Sequence, residues 1–363
     1  MRRRPRRCWR AAISIYGLHS MTPETTLMFA EAAEAGAAVA RQDAGAVAAL
    51  VAKLRADPPR IVVTLGRGSS DNAATVARYL IETQLRLLTS SVSPSAASVY
   101  DAAPDYTGAL MLAISQSGKS PDLIAAAEAA QARGAHLVAL VNVEDSPLAN
   151  LADSVLPLCA GPEHSVAATK SFVTSVAACL KLIAAWTEDA ELQAAVDALP
   201  ELLEQAWALD WSAALPALTD ATNLYVIARG PALGIAQEVA LKIKETCGFH
   251  AEAFSAAEVR HGPMALVGEG FPVLLLGQDD EAQDSVAELA TLFADRGAVV
   301  IHAGIGPEDD GAPGIRLPSL DAHPVVQPLL LVESFYRLAN ALALARGHDP
   351  DRPPHLRKVT ETV

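Results

Sequence analysis

Residues 60–82 read RIVVTLGRGSSDNAATVARYLIE, and residues 223–245 read NLYVIARGPALGIAQEVALKIKE. Each is an apolar run, then Arg-Gly, then an alanine-rich segment of helical periodicity, which predicts a strand, a tight turn and a helix. Arg67 and Arg229 stand 162 positions apart, and the same offset carries Ala109-Leu110-Met111-Leu112 onto Phe271-Pro272-Val273-Leu274. Arg133-Gly134, closing the next helical run, falls near Arg296-Gly297. Two similar halves follow. Alternating apolar strands and helical crossovers give an α/β class, each half an open parallel sheet with helices on both faces. Such sheets bind ligands beyond the carboxyl ends of their strands.

With 363 residues, 51% of them hydrophobic, the chain can bury a large core in two domains of ordinary size. No run approaches the roughly 18 uninterrupted apolar residues of a membrane-spanning helix, so no membrane partner is expected. Cys8, Cys159, Cys179 and Cys247 lack metal-type spacing, which suggests reduced thiols in a cytoplasmic protein with no metal site. Net charge is −14, yet residues 1–20 hold six arginines and no acid, leaving −20 for the rest. The body is therefore not expected to bind nucleic acid. Residues 1–20 read as a disordered upstream extension rather than an export signal, and Met21 is an alternative start. Thr22-Pro23-Glu24 then opens an N-terminal helix, within 21–45, with a cap, a first-turn proline and an early acid. Phe172, Val176, Leu180 and Ile183 have the spacing of a buried helical stripe, and Cys179 and Cys247 read as core.

The repeat supplies its own control. Where the first half has Ile114-Ser115-Gln116-Ser117-Gly118-Lys119-Ser120-Pro121-Asp122, the second has LGQDDEAQD, with Asp279, Asp280 and Glu281 in place of small donors. Ser115, Ser117 and Ser120 can donate hydroxyl hydrogen bonds, Gly118 permits close backbone approach, and the following helix directs its positive end at the site. A serine-capped turn is the plain alternative. A second loop, Gly66-Arg67-Gly68-Ser69-Ser70-Asp71-Asn72, again places small donors at a strand end. It is a poor dinucleotide fingerprint, because Asp71 stands where a third glycine is needed, and no Walker lysine is present. Two hydroxyl-rich loops without nucleotide signatures suggest one phosphate on a small organic molecule.

These residues resemble the sugar isomerase (SIS) domain family, in particular its tandem-domain group, which includes the isomerase half of glucosamine-6-phosphate synthase. The likeness spans nearly all of 45–363. It is carried by Gly68-Ser69-Ser70, ISQSG with Ser120, SVAATKSF at 165–172, ALKIKETCGFHAEAFSAAEVRHGP at 240–263 and the terminal LRK at 356–358. It implies two tandem SIS domains, at 46–200 and 207–347, and a C-terminal tail, 348–363, closing over the site. Ser70, Ser115, Gln116, Ser117 and Ser120, with Gly68 and Ser69, would grip a sugar 6-phosphate, and Val166 and Ala167 would contact the sugar. No cofactor is implied.

Glu238, Lys242 and Glu245 lie at i, i+4 and i+7 on one helix face, a pattern that also describes a solvated salt-bridged stripe. The resemblance instead implies that Glu245 shuttles a proton between sugar carbons 1 and 2, while Lys242 and Glu238 position the sugar oxygens. His261, before Gly262-Pro263, is read as a loop residue; the resemblance makes it the acid–base group that opens the ring, contributed across a homodimer interface. The proline-rich DPDRPPHLRKVTETV reads by itself as a frayed terminus. By resemblance Lys358 lies over the sugar and can form an imine with the open-chain ketose.

No stretch before residue 45 is long enough for a glutaminase domain, and neither start exposes a cysteine nucleophile. The expectation is therefore an isomerising deaminase that converts glucosamine 6-phosphate to fructose 6-phosphate and ammonia, with galactosamine 6-phosphate as a close variant. A glucosamine-6-phosphate-forming aminotransferase, ammonia-dependent or with a separate glutaminase, is the second reading, and a non-catalytic phosphosugar sensor the third.

Overall fold

The computed structural model describes residues 21–305 and 312–358; the basic extension 1–20 and the last five residues of the tail lie outside the described residues. The repeat is reproduced strand for strand. β1 (Ile61–Leu65), β2 (Thr89–Ser91), β3 (Ala109–Ser115), β4 (His136–Val141) and β5 (Ser154–Pro157) form a parallel sheet in the order β2-β1-β3-β4-β5. β6 (Tyr225–Ala228), β7 (Glu252–Ser255), β8 (Pro272–Leu276), β9 (Val299–Ala303) and β10 (Ile315–Leu317) form a second, also parallel, in the order β7-β6-β8-β9-β10. The central strands β1, β3, β6 and β8 are mostly apolar, as buried parallel strands are, and every residue of β3 is buried. In each sheet the strand order reverses direction at the first strand, between β1 and β3 or between β6 and β8. Ligands of this architecture bind in the crevice at such a point.

The halves meet through equivalent helices, Ser69–Leu80 and Ala232–Lys242. Gly234 allows the approach: a Cβ there would lie 2.6 Å from the carbonyl oxygen of Asn72, the residue 162 positions earlier. The same register position from each half thus meets at the boundary. Both helices continue into a wider π turn, Ile81–Leu85 and Ile243–Cys247, and stop at a left-handed residue, Arg86 (φ 58°) and Gly248 (φ 68°). Such turns re-aim the side chains they carry, and Glu245 is on the second.

Phe172, Val176, Leu180 and Ile183 are buried along the helix Lys170–Thr187, as their spacing predicts. Cys179 and Cys247 are core residues, and burial pushes their thiols up to about 12 and about 11, which leaves neither as a nucleophile. The N-terminal start differs from the expectation. Thr22 and Thr25 close a capping box around one 3-10 turn, and the α-helix begins at Leu27, where Thr26 accepts from the Phe29 amide. One helix among the described residues, Gln327–Ala345, is long and apolar enough to cross a membrane, but 78% of its apolar window is buried inside the protein, where it packs as a core helix.

Candidate active site

A cavity of about 360 Å³ opens at the carboxyl ends of β1 and β3, within the size range of small-molecule sites. One wall is the two serine loops: Gly68, Ser69 and Ser70 after β1, and Ser115, Gln116, Ser117 and Ser120 after β3. Each loop feeds a helix whose N-terminus faces the cavity, Ser69–Leu80 and Pro121–Ala132. Gly68 caps the first at φ 54°, a conformation that favours glycine. Gly118 has φ 61°, and a Cβ there would come within 2.1 Å of Ser146 Oγ, so glycine is required on both counts. Ser115 is buried and its Oγ accepts the Gly118 amide at 3.1 Å, shaping the turn. Ser120 makes no side-chain cap bond, so its hydroxyl is not spent on its own helix.

The opposite wall comes from the second half and the tail. Lys242 and Glu245 line it, and Val166, Leu356, Arg357 and Lys358 close the remaining sides. The helix stripe is buried rather than solvated. Lys242 is fully buried, with its ammonium on Glu245 Oε2 and 3.5 Å from Glu238 Oε1. Burial opposes its charge, yet the two carboxylates hold its ammonium above the usual lysine range. Glu245 keeps 21% of its side chain exposed, and with one oxygen on Lys242 the other is left for the cavity.

Glu238 departs from its expected role. It is fully buried and does not line the cavity; instead its carboxylate accepts from Ser69 Oγ (3.0 Å), Asn72 Nδ2 (2.9 Å) and Tyr336 Oη (3.3 Å). Burial raises its pKa, against the lowering effect of Lys242. It therefore lies one layer beneath the cavity wall, tying the first serine loop to the lysine of the second half. Ala167 is likewise buried beneath the surface, and its neighbour Ala168 lines the cavity in its place. His261 lies at the end of a 3-10 turn, Glu258–His261, rather than in a loop, and Gly262 (φ 137°) breaks the chain after it. It is exposed and outside the lining of this chain's cavity.

As far as Lys358 the tail is folded rather than frayed. Asp351 accepts the Leu27 and Met28 amides at 2.8 and 2.7 Å, capping the N-terminal helix, and its carbonyl accepts the Val166 amide. Lys358 donates to Glu163 Oε2 at 2.7 Å and to the Ser165 carbonyl at 2.9 Å. Burial would raise the Glu163 pKa, but the Lys358 charge and hydrogen bonds from Lys358, Ser171 and the Thr169 amide hold it below the usual range.

Sequence reasoning did not assign Glu163, Arg67 or Arg357 to the site. Arg67 lines the cavity and bridges the serine loops, with Nε and Nη2 at 2.9 and 2.7 Å from Asp122 Oδ2. Its signal was present as the repeated Arg-Gly, which marks a turn and says nothing of a partner 55 residues on.

A parallel sheet with serine loops at its reversal point, doubled and closed by charges from its copy, defines a small-molecule α/β domain pair. Two segments, residues 56–185 and 217–303, match the SIS domain family. The chain belongs to that family and is an enzyme of it. It is 37% identical over 318 residues to the glutamine–fructose-6-phosphate aminotransferase (isomerizing) of Symbiobacterium thermophilum, a match covering 82% of this chain and 51% of the relative. The chain thus spans about half the length of the curated relatives it matches. A crystal structure of a proposed phosphosugar isomerase from Silicibacter pomeroyi DSS-3 is 44% identical, with a TM-score of 0.85, covering 90% of this chain and all of that one. That of glucosamine-6-phosphate deaminase from Thermotoga maritima has a TM-score of 0.70 at 21% identity, covers 93% of this chain and all of that one, and shares the fold.

Proposed function

We propose that this chain is an aminosugar-phosphate deaminase that isomerises glucosamine 6-phosphate and releases ammonia, giving fructose 6-phosphate. The observation that supports it most is the placing of two different chemistries on opposite walls of one cavity: neutral hydroxyls and helix N-termini opposite a carboxylate paired with a buried lysine. The phosphate rests on Ser70, Gln116, Ser117 and Ser120, and the sugar extends toward Glu245. Glu245 removes the proton from carbon 2 and returns it to carbon 1, while a second proton passes from the amine to the carbon 1 oxygen, converting the open-chain aldose amine to a ketose imine. The Lys242 ammonium beside Glu245 offers a donor for oxygen charge that develops in the transition state. Water then adds to the imine carbon and the amine leaves as ammonia.

In this reading the active unit is a homodimer in the cytoplasm. His261, exposed here, reaches the ring oxygen of a sugar in the neighbouring chain. Lys358 forms an imine only after leaving Glu163.

The second reading, an aminotransferase that makes glucosamine 6-phosphate, is supported by the curated relatives' name. One assay separates the two. Ammonia release from glucosamine and galactosamine 6-phosphates is measured beside product formation from fructose 6-phosphate with glutamine. Release without glutamine-dependent synthesis is expected; glutamine-dependent product from this chain alone would reverse the assignment.

A further inference from the structure

Four cationic side chains line the cavity, Arg67, Lys242, Arg357 and Lys358, and three of them are committed to a carboxylate. Arg67 is on Asp122, Lys242 is shared by Glu238 and Glu245, and Lys358 is on Glu163. Arg357 has no carboxylate partner among the described residues. A phosphate monoester brings a charge of about −1.5 to −2 near neutral pH, into a chain whose net charge is −14. The serines that meet it are neutral, so Arg357 is the cation left to answer that charge.

The tail also presents Arg357 deliberately. It is anchored on one side by Asp351 on the Leu27 and Met28 amides, and on the other by Lys358 on Glu163 and Ser165. Between these anchors His355 is held at φ 67°, a strained conformation for a residue with a Cβ, and the chain after it delivers Leu356 and Arg357 to the cavity mouth. A space of this volume is on the order of 9 Å across, so a guanidinium on its rim can reach most of it.

We propose that Arg357 is a specificity-determining residue for the anionic end of the ligand: its guanidinium pairs with the phosphate held by the serine loops, and selection of phosphorylated over unphosphorylated sugar depends on the folded tail. This rests on the reading of the cavity as a sugar-phosphate site. A planar, permanently charged fork suits phosphate oxygens, and its contribution is coulombic, whereas that of the serines is mostly directional.

The test uses the full chain, with Arg357→Gln and Arg357→Lys variants checked by thermal unfolding. Affinity for inorganic phosphate and KM for glucosamine 6-phosphate are read at low and high salt. The expected result is that Arg357→Gln weakens both by about tenfold or more, as loss of a charge-assisted contact does, leaves kcat within a few-fold and flattens the salt dependence. Arg357→Lys restores part of the affinity. Unchanged affinity with an unchanged salt slope, or a loss confined to kcat, overturns the role of Arg357. Failure of the wild-type chain to act on either aminosugar phosphate overturns the function instead, while the phosphate titration still reads Arg357.

Discussion

The two halves share a fold and diverge at different points of the same repeat. In the first, the turns carry the chemistry: Ser117, Gly118 and Ser120 stand where the second has Asp279, Asp280 and Ala282. In the second it is the helix, because Glu238, Lys242 and Glu245 stand where the first has Val76, Leu80 and Thr83. The second half's acidic turn is satisfied internally: Gln278 donates to Asp280 and its Oε1 accepts the Ala232 amide, while Asp280 Oδ1 accepts the Ala282 amide. The first half's counterpart helix is correspondingly plain, with Val76 and Leu80 in the core and Thr83 bonded to the Tyr79 carbonyl. Duplication thus places one hydroxyl-rich turn and one charged helix end on facing walls, where a single half has only one of them.

The largest expected break in this asymmetry is at Glu245. Glu245→Gln keeps the shape and removes the base, so kcat should fall by about 10²–10⁴ while phosphosugar binding persists in a titration. Thr83→Val, its repeat counterpart, should leave both unchanged. Smaller but still large is the turn contrast. Ser117→Ala with Ser120→Ala should raise KM, each lost donor to an anion costing about 1.5–3 kcal/mol. Asp279→Ser in the second half should create no new affinity for phosphate, because Gln278 and Asp280 still occupy their own turn.

A third contrast is in pH. Burial pushes the Glu333 carboxyl well above its ordinary 4.5, whereas Glu163 is held below it. Above pH 4.5 folded Glu333 keeps a proton that the unfolded chain loses, so its contribution to stability falls as pH rises from there through its folded value. Glu163 acts in the opposite sense: its contribution is present above 4.5 and is lost as pH falls through its lowered folded value. Glu333→Gln should therefore match the wild type in acid and gain on it as pH rises, read as melting temperature against pH. A parallel pH profile for both proteins would count against a neutral buried acid.

The turns were legible in sequence because their chemistry is local. A hydroxyl, a left-handed glycine and a following helix are adjacent in the chain, and the repeat revealed which copy had lost them. The helix stripe was legible as a face but not as a depth. Spacing places Glu238 with Lys242 and Glu245, yet only the packing of Ser69–Leu80 against that helix shows Glu238 covered by Ser69 and Asn72. Glu163 and Arg357 were missed for a related reason, since each acquires its place from a contact or enclosure far along the chain. Glu163, for instance, meets Lys358 195 positions later.

The most direct measurement is a crystal structure of the Glu245→Gln variant soaked with glucosamine 6-phosphate. Phosphate oxygens on Ser70, Gln116, Ser117 and Ser120, with carbons 1 and 2 against residue 245, are the predicted result. Phosphate at the Asp279–Glu281 turn, or a sugar whose reactive carbons face away from residue 245, would contradict the assignment of binding to one half and proton transfer to the other.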